Sequence, residues 1–500
     1  MTRLDLSTPW GVTLALLPEV VLSGWALIVL LVVAWRHRTA EDSRLAGWLS
    51  LVGVILSGAA LAALWVNGVA PEGLAQMVAL DPFRYGVAAI ALLSAGVTIL
   101  LSLGYLERER LLAPEYYPLV LLATAGMMFL GGAEDLIVLF LGLEVMSIAV
   151  YVLAGFNRAN PFSAEAALKY FLIGAFASGF LLYGIALVYG ATGTTNLSLA
   201  GAQLAGRALS PMAALGLGLL IIGFGFKVAA VPFHMWAPDV YDGAPTPVTG
   251  FMATGVKAAA FAALVRVLME AFPAASSVWQ PIVAGLAIAS MVLGNLVGLA
   301  QRSLKRMLAY SSIAHAGYLL TAVWAGTPAG AGAVLLYLLA YSLTSLAAFG
   351  LLAVLGRGGE RQVTTDDIAG LAASRPGIAF GLSVCMLSLL GFPGTFGFIG
   401  KWYILSAVVA EGQYWLPVIV VLTSVVSAGY YLPVIMAMYM KPAPSGDRYV
   451  GVRLAPAALG AVTLVVAAVL LLGFVPGRLL DLAGRSGTTL TQTGLPIAGQ

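Results

Sequence analysis

The stretch Phe226-Lys227-Val228-Ala229-Ala230-Val231-Pro232-Phe233-His234-Met235-Trp236-Ala237-Pro238-Asp239 puts a lysine, a proline and a histidine into an apolar run that begins near residue 211. Proline removes a helical hydrogen bond and clashes with the preceding turn, so a helix here should kink or open near Lys227. A second apolar stretch, Leu390-Gly391-Phe392-Pro393-Gly394-Thr395-Phe396-Gly397-Phe398-Ile399-Gly400-Lys401, is interrupted in the same way, again beside a lysine. If these runs lie in lipid, their irregular backbone survives only where protein or a water-filled cavity satisfies its polar groups. Broken helices at membrane depth therefore point to an ion path.

Composition places them in lipid. The 500 residues are 61% hydrophobic and 9% charged, too little polar surface to coat a water-soluble globule. A helical span needs about 20 apolar residues. Such runs occur at roughly 12–34, 45–66, 84–104, 117–133, 135–155, 164–190, 211–232, 247–270, 277–300, 307–325, 329–356, 377–410, 414–440 and 454–475, which makes fourteen. The first is too long for a signal-peptide core and lacks a small-residue cleavage site, so it reads as a retained span.

Basic residues sort by loop. Odd-numbered loops carry Arg36, Arg38, Arg44, Arg108, Arg110, Arg158, Arg302, Lys305, Arg306, Arg357, Arg361, Arg375, Lys441, Arg448 and Arg453, whereas even-numbered loops hold little beyond Arg84 and Arg207. The positive-inside rule then puts both termini on the non-cytoplasmic side, which also requires an even number of spans. One cysteine, Cys385, excludes an internal disulfide or a thiolate-held cluster built by this chain alone, and three scattered histidines make no metal cage.

Lysine and arginine are used differently. Of six lysines, Lys169, Lys227, Lys257 and Lys401 lie within the spans; of nineteen arginines only Arg266 does, near a span end from which it can snorkel to the interface. A lysine amine can trade its proton in a dry site, whereas arginine stays charged. Each central lysine costs roughly 2.5 to 3.5 kcal/mol on insertion scales, so four together cost about 10 kcal/mol, which a mere scaffold has no reason to bear. Glu144 in the fifth span, His234 just after the seventh-span proline and His315 in the tenth are the available partners. Bland readings stand beside these. Lys169 is shallow enough to snorkel, Glu144 can be a plain counter-ion, and the histidines can be satisfied core residues. Glu19 beside Pro18 reads as a capping or interface residue, and Asp239 and Asp242 as turn residues of a loop over 237–247, with proton entry the minor alternative.

The two interrupted spans are five apart, so they run in opposite directions, the arithmetic of an inverted repeat. Two unrelated kinks are the alternative.

Several segments together resemble one family. These are Glu165-Ala166-Ala167-Leu168-Lys169-Tyr170-Phe171-Leu172, the run from Leu182-Tyr183-Gly184 to Gly193-Thr194, the opening stretch continued to Thr246-Pro247-Val248, and Ser303-Leu304-Lys305-Arg306-Met307-Leu308-Ala309-Tyr310-Ser311-Ser312-Ile313-Ala314-His315-Ala316-Gly317-Tyr318. Over about residues 80 to 440 the chain resembles the antiporter-like N subunits of the proton-pumping NADH:quinone oxidoreductase, respiratory complex I, known in mitochondria as NADH dehydrogenase subunit 2. The resemblance implies an all-α polytopic membrane protein of about fourteen transmembrane helices, with two inverted five-helix repeats (helices 4 to 8 and 9 to 13) and broken helices 7 and 12. It divides the chain into 1–110 (three N-terminal helices), 111–272 (first repeat), 273–441 (second repeat) and 442–500 (last helix and a polar tail). Position by position it implies a proton relay of Glu144, Lys169, Lys227, Lys257, His315 and Lys401, with His234 just after the helix 7 break. Lys401 separates the chain from the similar M subunits, which carry glutamate there, and Gly391-Phe392-Pro393-Gly394 departs from the family's Ile-Pro-Pro pattern.

The expected function is proton translocation driven by redox chemistry elsewhere, beginning with the opening of a Glu144–Lys227 ion pair. The chain should act as a translocase subunit without a redox centre or cofactor of its own. NADH, FMN, iron–sulfur clusters and quinone are expected in partner subunits. The expected partners are other membrane-arm subunits, including further antiporter-like ones, and the lipid bilayer, with no nucleic acid. The expected location is a bacterial inner membrane. An Mrp-type cation/proton antiporter, a membrane-bound hydrogenase subunit and a non-conducting scaffold remain open on the residues alone. The segment after about residue 483, rich in Gly and Thr, is expected to be flexible.

Overall fold

A computed structural model of the chain describes residues 3–5, 8–36, 39–67, 70–72, 77–111, 113–356, 363–442 and 455–492. Arg38, Arg357, Arg361, Arg448 and Arg453 of the charge pattern above lie outside the described residues.

The chain is almost entirely helical. Two three-residue strands, β1 (Arg3–Asp5) and β2 (Ala70–Glu72), pair in parallel. A short helix α1 (Pro9–Ala15) leads into α2 (Leu17–Arg36), α3 (Ala40–Val66), α4 (Pro82–Arg108), α5 (Tyr116–Gly131), α6 (Leu136–Ala154) and α7 (Pro161–Thr192). These supply the first six crossings. After the short α8 (Leu197–Leu204), the seventh crossing is split into α9 (Pro211–Lys227) and α10 (Trp236–Gly243). The eighth joins α11 (Thr246–Phe251) and α12 (Lys257–Arg266) through the π-helical turn Met252–Val256, and ends in a second π turn, Val267–Ala271. Then come α13 (Ser276–Gly298), α14 (Leu304–Ala325) and α15 (Pro328–Leu355). The short α16 (Leu371–Ser374) precedes the split twelfth crossing, α17 (Pro376–Leu390) and α18 (Phe396–Ala410), which is followed by α19 (Trp415–Met440), α20 (Pro456–Phe474) and α21 (Gly477–Gln492).

Ten of these helices are long and apolar enough to cross a membrane, and Tyr116–Gly131, Pro211–Lys227, Pro376–Leu390 and Phe396–Ala410 are shorter apolar helices. The last two are halves of one crossing, and α14, whose polar face lowers its hydropathy, supplies another. Among the described residues fourteen crossings result, as expected from the apolar runs.

Both breaks are real, and protein groups satisfy them. At the first, Ala229 takes a left-handed φ of 58°. The Ser290 hydroxyl accepts from Val231 N (2.9 Å), and Trp236 Nε1 donates to the Phe226 carbonyl (3.0 Å). At the second, Gly391 and Gly394 both sit at φ 86°, a region that favours glycine. There the Leu390 carbonyl accepts from Lys401 Nζ (2.9 Å) and the Ser388 hydroxyl from Gly397 N (3.2 Å).

The two halves share a packing device. A Cβ on Gly142 of α6 would stand 2.6 Å from Leu130 N of α5, and one on Gly317 of α14 would stand 2.7 Å from Ala287 O of α13. Each half thus opens with a helix pair in backbone contact, the small-residue packing that membranes favour. Gly142→Val should cost about 1 to 3 kcal/mol through overpacking, read as a lower unfolding temperature of the assembled protein; an unchanged melt would remove Gly142 from the packing account.

Three expectations change. Residues 237–243, expected in a loop, belong to α10, so Asp239 and Asp242 are helix residues rather than turn residues. Beyond residue 483 the chain continues as α21 to Gln492, with Ala483, Ser486 and Leu490 buried; a Cβ on Gly487 would strike Pro328 O of α15. Residues 493–500 of the expected tail lie outside the described residues. Finally, Arg266 does not snorkel, and Glu19 neither caps nor faces an interface; both are fully enclosed among opposite charges.

Candidate functional site

Helix α12 carries Lys257 into the centre of the molecule, where 1% of it is exposed. Its Nζ donates to the Ser312 carbonyl (2.7 Å) and hydroxyl (2.5 Å) on α14 and lies 5.8 Å from the Tyr341 ring centre. No carboxylate pairs with it among the described residues; only oxygen dipoles and a ring face offset its charge.

One turn along α14 stands His315, also buried. Its Nδ1 shares a hydrogen with the Tyr337 hydroxyl (2.6 Å) and its Nε2 with the Tyr431 hydroxyl (3.2 Å), and Tyr431 is bonded in turn to Ser311. Tyr318, edge-on to His315, accepts from Asn295 Nδ2 (3.2 Å), whose Oδ1 accepts from the Tyr430 hydroxyl (2.8 Å). Lys401 Nζ lies 4.6 Å from the Tyr318 ring centre and donates to Leu390 O and, at 3.2 Å, to the Ser424 hydroxyl. The second broken helix therefore brings Lys401 to the far end of a tyrosine-lined interior that begins at Lys257.

Lys227, the last residue of α9, is buried at the first break. It donates to the Ser147 hydroxyl (2.7 Å) and the Tyr151 hydroxyl (3.2 Å) of α6. The expected direct ion pair with Glu144 is not formed: Glu144 accepts from the Ser178 hydroxyl (2.5 Å) on α7 instead. Ser147 sits one turn beyond Glu144, so the register of α6 against α9 places a hydroxyl where the carboxylate was expected. No hydrogen bond joins this group to the Lys257 group among the described residues.

Two sequence candidates stand apart. Lys169, 39% exposed, pairs with Glu165 (2.6 Å) and Asp239 (2.8 Å), and Asp239 also takes Arg306 (2.8 Å). This cluster lies at the odd-loop face, with Asp242 accepting from Ser303 beside it. His234 lies in the break, half-buried, its Nδ1 without a hydrogen-bond partner among the described residues.

The tyrosines are what sequence reasoning missed. Tyr337 and Tyr341 are one helical turn apart on α15, and Tyr430 and Tyr431 are adjacent on α19. Phenols recurring inside apolar spans were the available signal. Lys305 was read as a loop charge; it is buried and donates to Ala244 O (2.7 Å).

A hydroxyl both donates and accepts, so it can receive a proton on one side and give one on the other. A lysine without a counter-ion can release its proton. An interior of amines, an imidazole and hydroxyls can therefore hand protons along. No group of three or more metal-ligating side chains occurs among the described residues.

Known proteins resemble this chain closely. Residues 133–427 match the family described as "NADH:quinone oxidoreductase/Mrp antiporter, TM". The NADH-quinone oxidoreductase subunit N of Gemmatimonas aurantiaca is 44% identical, covering 99% of this chain and 97% of its own. A chain of the respiratory complex I from Thermus thermophilus superposes with a TM-score of 0.79 at 37% identity, over 93% of this chain and 99% of that one. A chain of the Mrp complex from Dietzia sp. has a TM-score of 0.83 at 22% identity over 96% and 98%, a likeness of fold.

Proposed function

Since the chain belongs to the NADH:quinone oxidoreductase/Mrp antiporter family, as an NADH-quinone oxidoreductase subunit N, we propose that it moves protons through the buried row Lys227, Lys257, His315 and Lys401. It is a proton-translocating membrane subunit of the oxidoreductase, and other membrane-arm subunits of complex I are its partners. Redox chemistry belongs to other subunits of the complex, where NADH, FMN, clusters and quinone are expected. The divisions 111–272 and 273–441 are its two transport repeats. The location is the bacterial inner membrane, with both termini on the non-cytoplasmic side.

The observation that carries the reading is the series of buried polar groups from Lys257 and Ser312 past His315, Tyr337 and Tyr431 to Tyr318 beside Lys401. Lys257 gives its proton toward α14, His315 passes it between two phenols, and Lys401 receives or releases it at the far end. Glu144 acts on Lys227 through its charge rather than by contact. Lys169 with Asp239 serves the odd-loop face, where protons enter, and His234 takes part only when the break opens.

The test is the double variant Tyr337→Phe, Tyr431→Phe in the assembled complex. It keeps both rings and removes both hydroxyls from His315. Loss of about 1.4 kcal/mol of transition-state stabilisation corresponds to roughly tenfold in rate, so proton pumping should fall on that order. Unchanged pumping with full assembly refutes a relay through His315.

A further inference from the structure

Six ionisable side chains far from the lysine row meet at the face of the even-numbered loops, each no more than 7% exposed: Glu19, Asp81, Arg84, Glu134, Arg266 and Glu270. Arg84 Nη2 holds Glu19 Oε1 at 2.7 Å. Arg266 Nη2 holds both oxygens of Asp81, the residue capping α4, at 2.8 and 2.7 Å. These are two neutral pairs. Two carboxylates remain, and both turn to the other nitrogen of the same guanidinium: Nη1 lies 2.9 Å from Glu270 Oε1 and 3.6 Å from Glu134 Oε1.

The single positive charge of that guanidinium cannot balance Asp81, Glu134 and Glu270 together. Glu134 Oε1 and Glu270 Oε2 are buried and accept no hydrogen bond among the described residues. If all six groups were ionised, the cluster would carry two uncompensated negative charges in a dry setting, an arrangement in which like charges force one acid to keep its proton. Burial pushes the Glu134 carboxyl up from the usual carboxylate range; Arg266 opposes the rise and Asp81 adds to it.

The neighbouring elements bring no further cation to the pair. Helix α8, packed on the π turn that carries Glu270, has no ionisable side chain, and neither has α13. Asp135, beside Glu134, is spent on Ile137 N and the Thr195 hydroxyl. Tyr85, on α4, has a buried hydroxyl without a partner. Helix α21 carries Arg478, Asp481 and Arg485, none of them in an ion pair with the cluster. The backbone around the site is pinned: Glu134 N donates to Met77 O, Leu197 N to Glu134 O, and Ala79 N to Gly132 O.

We propose that Glu134 and Glu270 together bind one exchangeable proton, and that this pair is a proton-release site at the non-cytoplasmic face. Lys257 and Glu270 are on one continuous crossing, about 20 Å apart at ~1.5 Å per residue, so the crossing that carries the central lysine ends at the pair. The release role rests on the proton-transport reading; occupancy by a proton does not.

The experiment is infrared difference spectroscopy on the assembled wild-type complex, with Glu134→Gln, Glu270→Gln and, as an exposed control, Glu411→Gln. The expected result is a carboxylic-acid C=O band that shifts in deuterium oxide, titrates with pH, and is lost in either Gln variant at the pair but kept in the control. Coupled proton pumping should fall in the same two variants. A spectrum in which neither substitution removes a band overturns the proposal. So does a band abolished by added sodium, which would make the pair a cation site. If the band is lost but pumping is unchanged, the release role is refuted. Lys257→Met losing pumping while keeping the band would leave occupancy standing and bear only on the row.

Discussion

Arg266→Met should prevent the subunit from accumulating in the assembled complex. Arg266 is fully enclosed and is bonded to Asp81, Glu270 and the Gly131 carbonyl (3.1 Å), with Glu134 at 3.6 Å. Methionine fills much of the volume but leaves three carboxylates without a cation. Breaking a buried ion pair from one side costs about 3 to 5 kcal/mol, and here several partners are stranded at once. Arg266→Lys keeps the charge but not the planar fork that reaches Asp81, Glu270 and Gly131 together, so it should assemble at an intermediate level. Native-gel yield of the membrane arm reads both variants; full assembly of Arg266→Met would show that the cluster does not hold this face together.

Lys257→Met is expected to do the opposite: assembly survives and transport fails. The side chain gives up only its two bonds to Ser312, one of which Ser312 can replace within its own helix. Because a buried charge is itself costly, its neutral replacement should be close to neutral for stability. Coupled NADH:quinone turnover should nevertheless fall at least about tenfold, the effect of raising the barrier by ~1.4 kcal/mol or more. Lys257→Arg should not rescue it, because a guanidinium holds its proton at any working pH.

Much of this is legible in the sequence. The spans follow from apolar length, the breaks from Pro232 and from Gly391-Phe392-Pro393-Gly394, and the central lysines from the cost of placing charge in lipid. What escaped is what depends on register and on distant chain segments. Whether Glu144 or Ser147 faces Lys227 is decided by about one turn of α6, and composition does not set that rotation. Arg266 looked like a snorkelling side chain because its partners, Asp81, Glu134 and Glu270, come from three separate places, two of them in turns. Helix α21 was hidden by its Gly and Thr content, although Leu479, Leu480, Ala483, Ser486 and Leu490 recur at helical spacing and pack its inner face. The tyrosines were visible as residues, but their convergence on His315 required α14, α15 and α19 to meet.

The most direct test of the proton row is to measure proton translocation and NADH:quinone turnover on the same sealed membrane vesicles carrying the assembled Lys257→Met complex. The account predicts that both fall together while the native gel shows a complete complex. An assembled variant that pumps at the wild-type rate would contradict it and leave the buried row as structure.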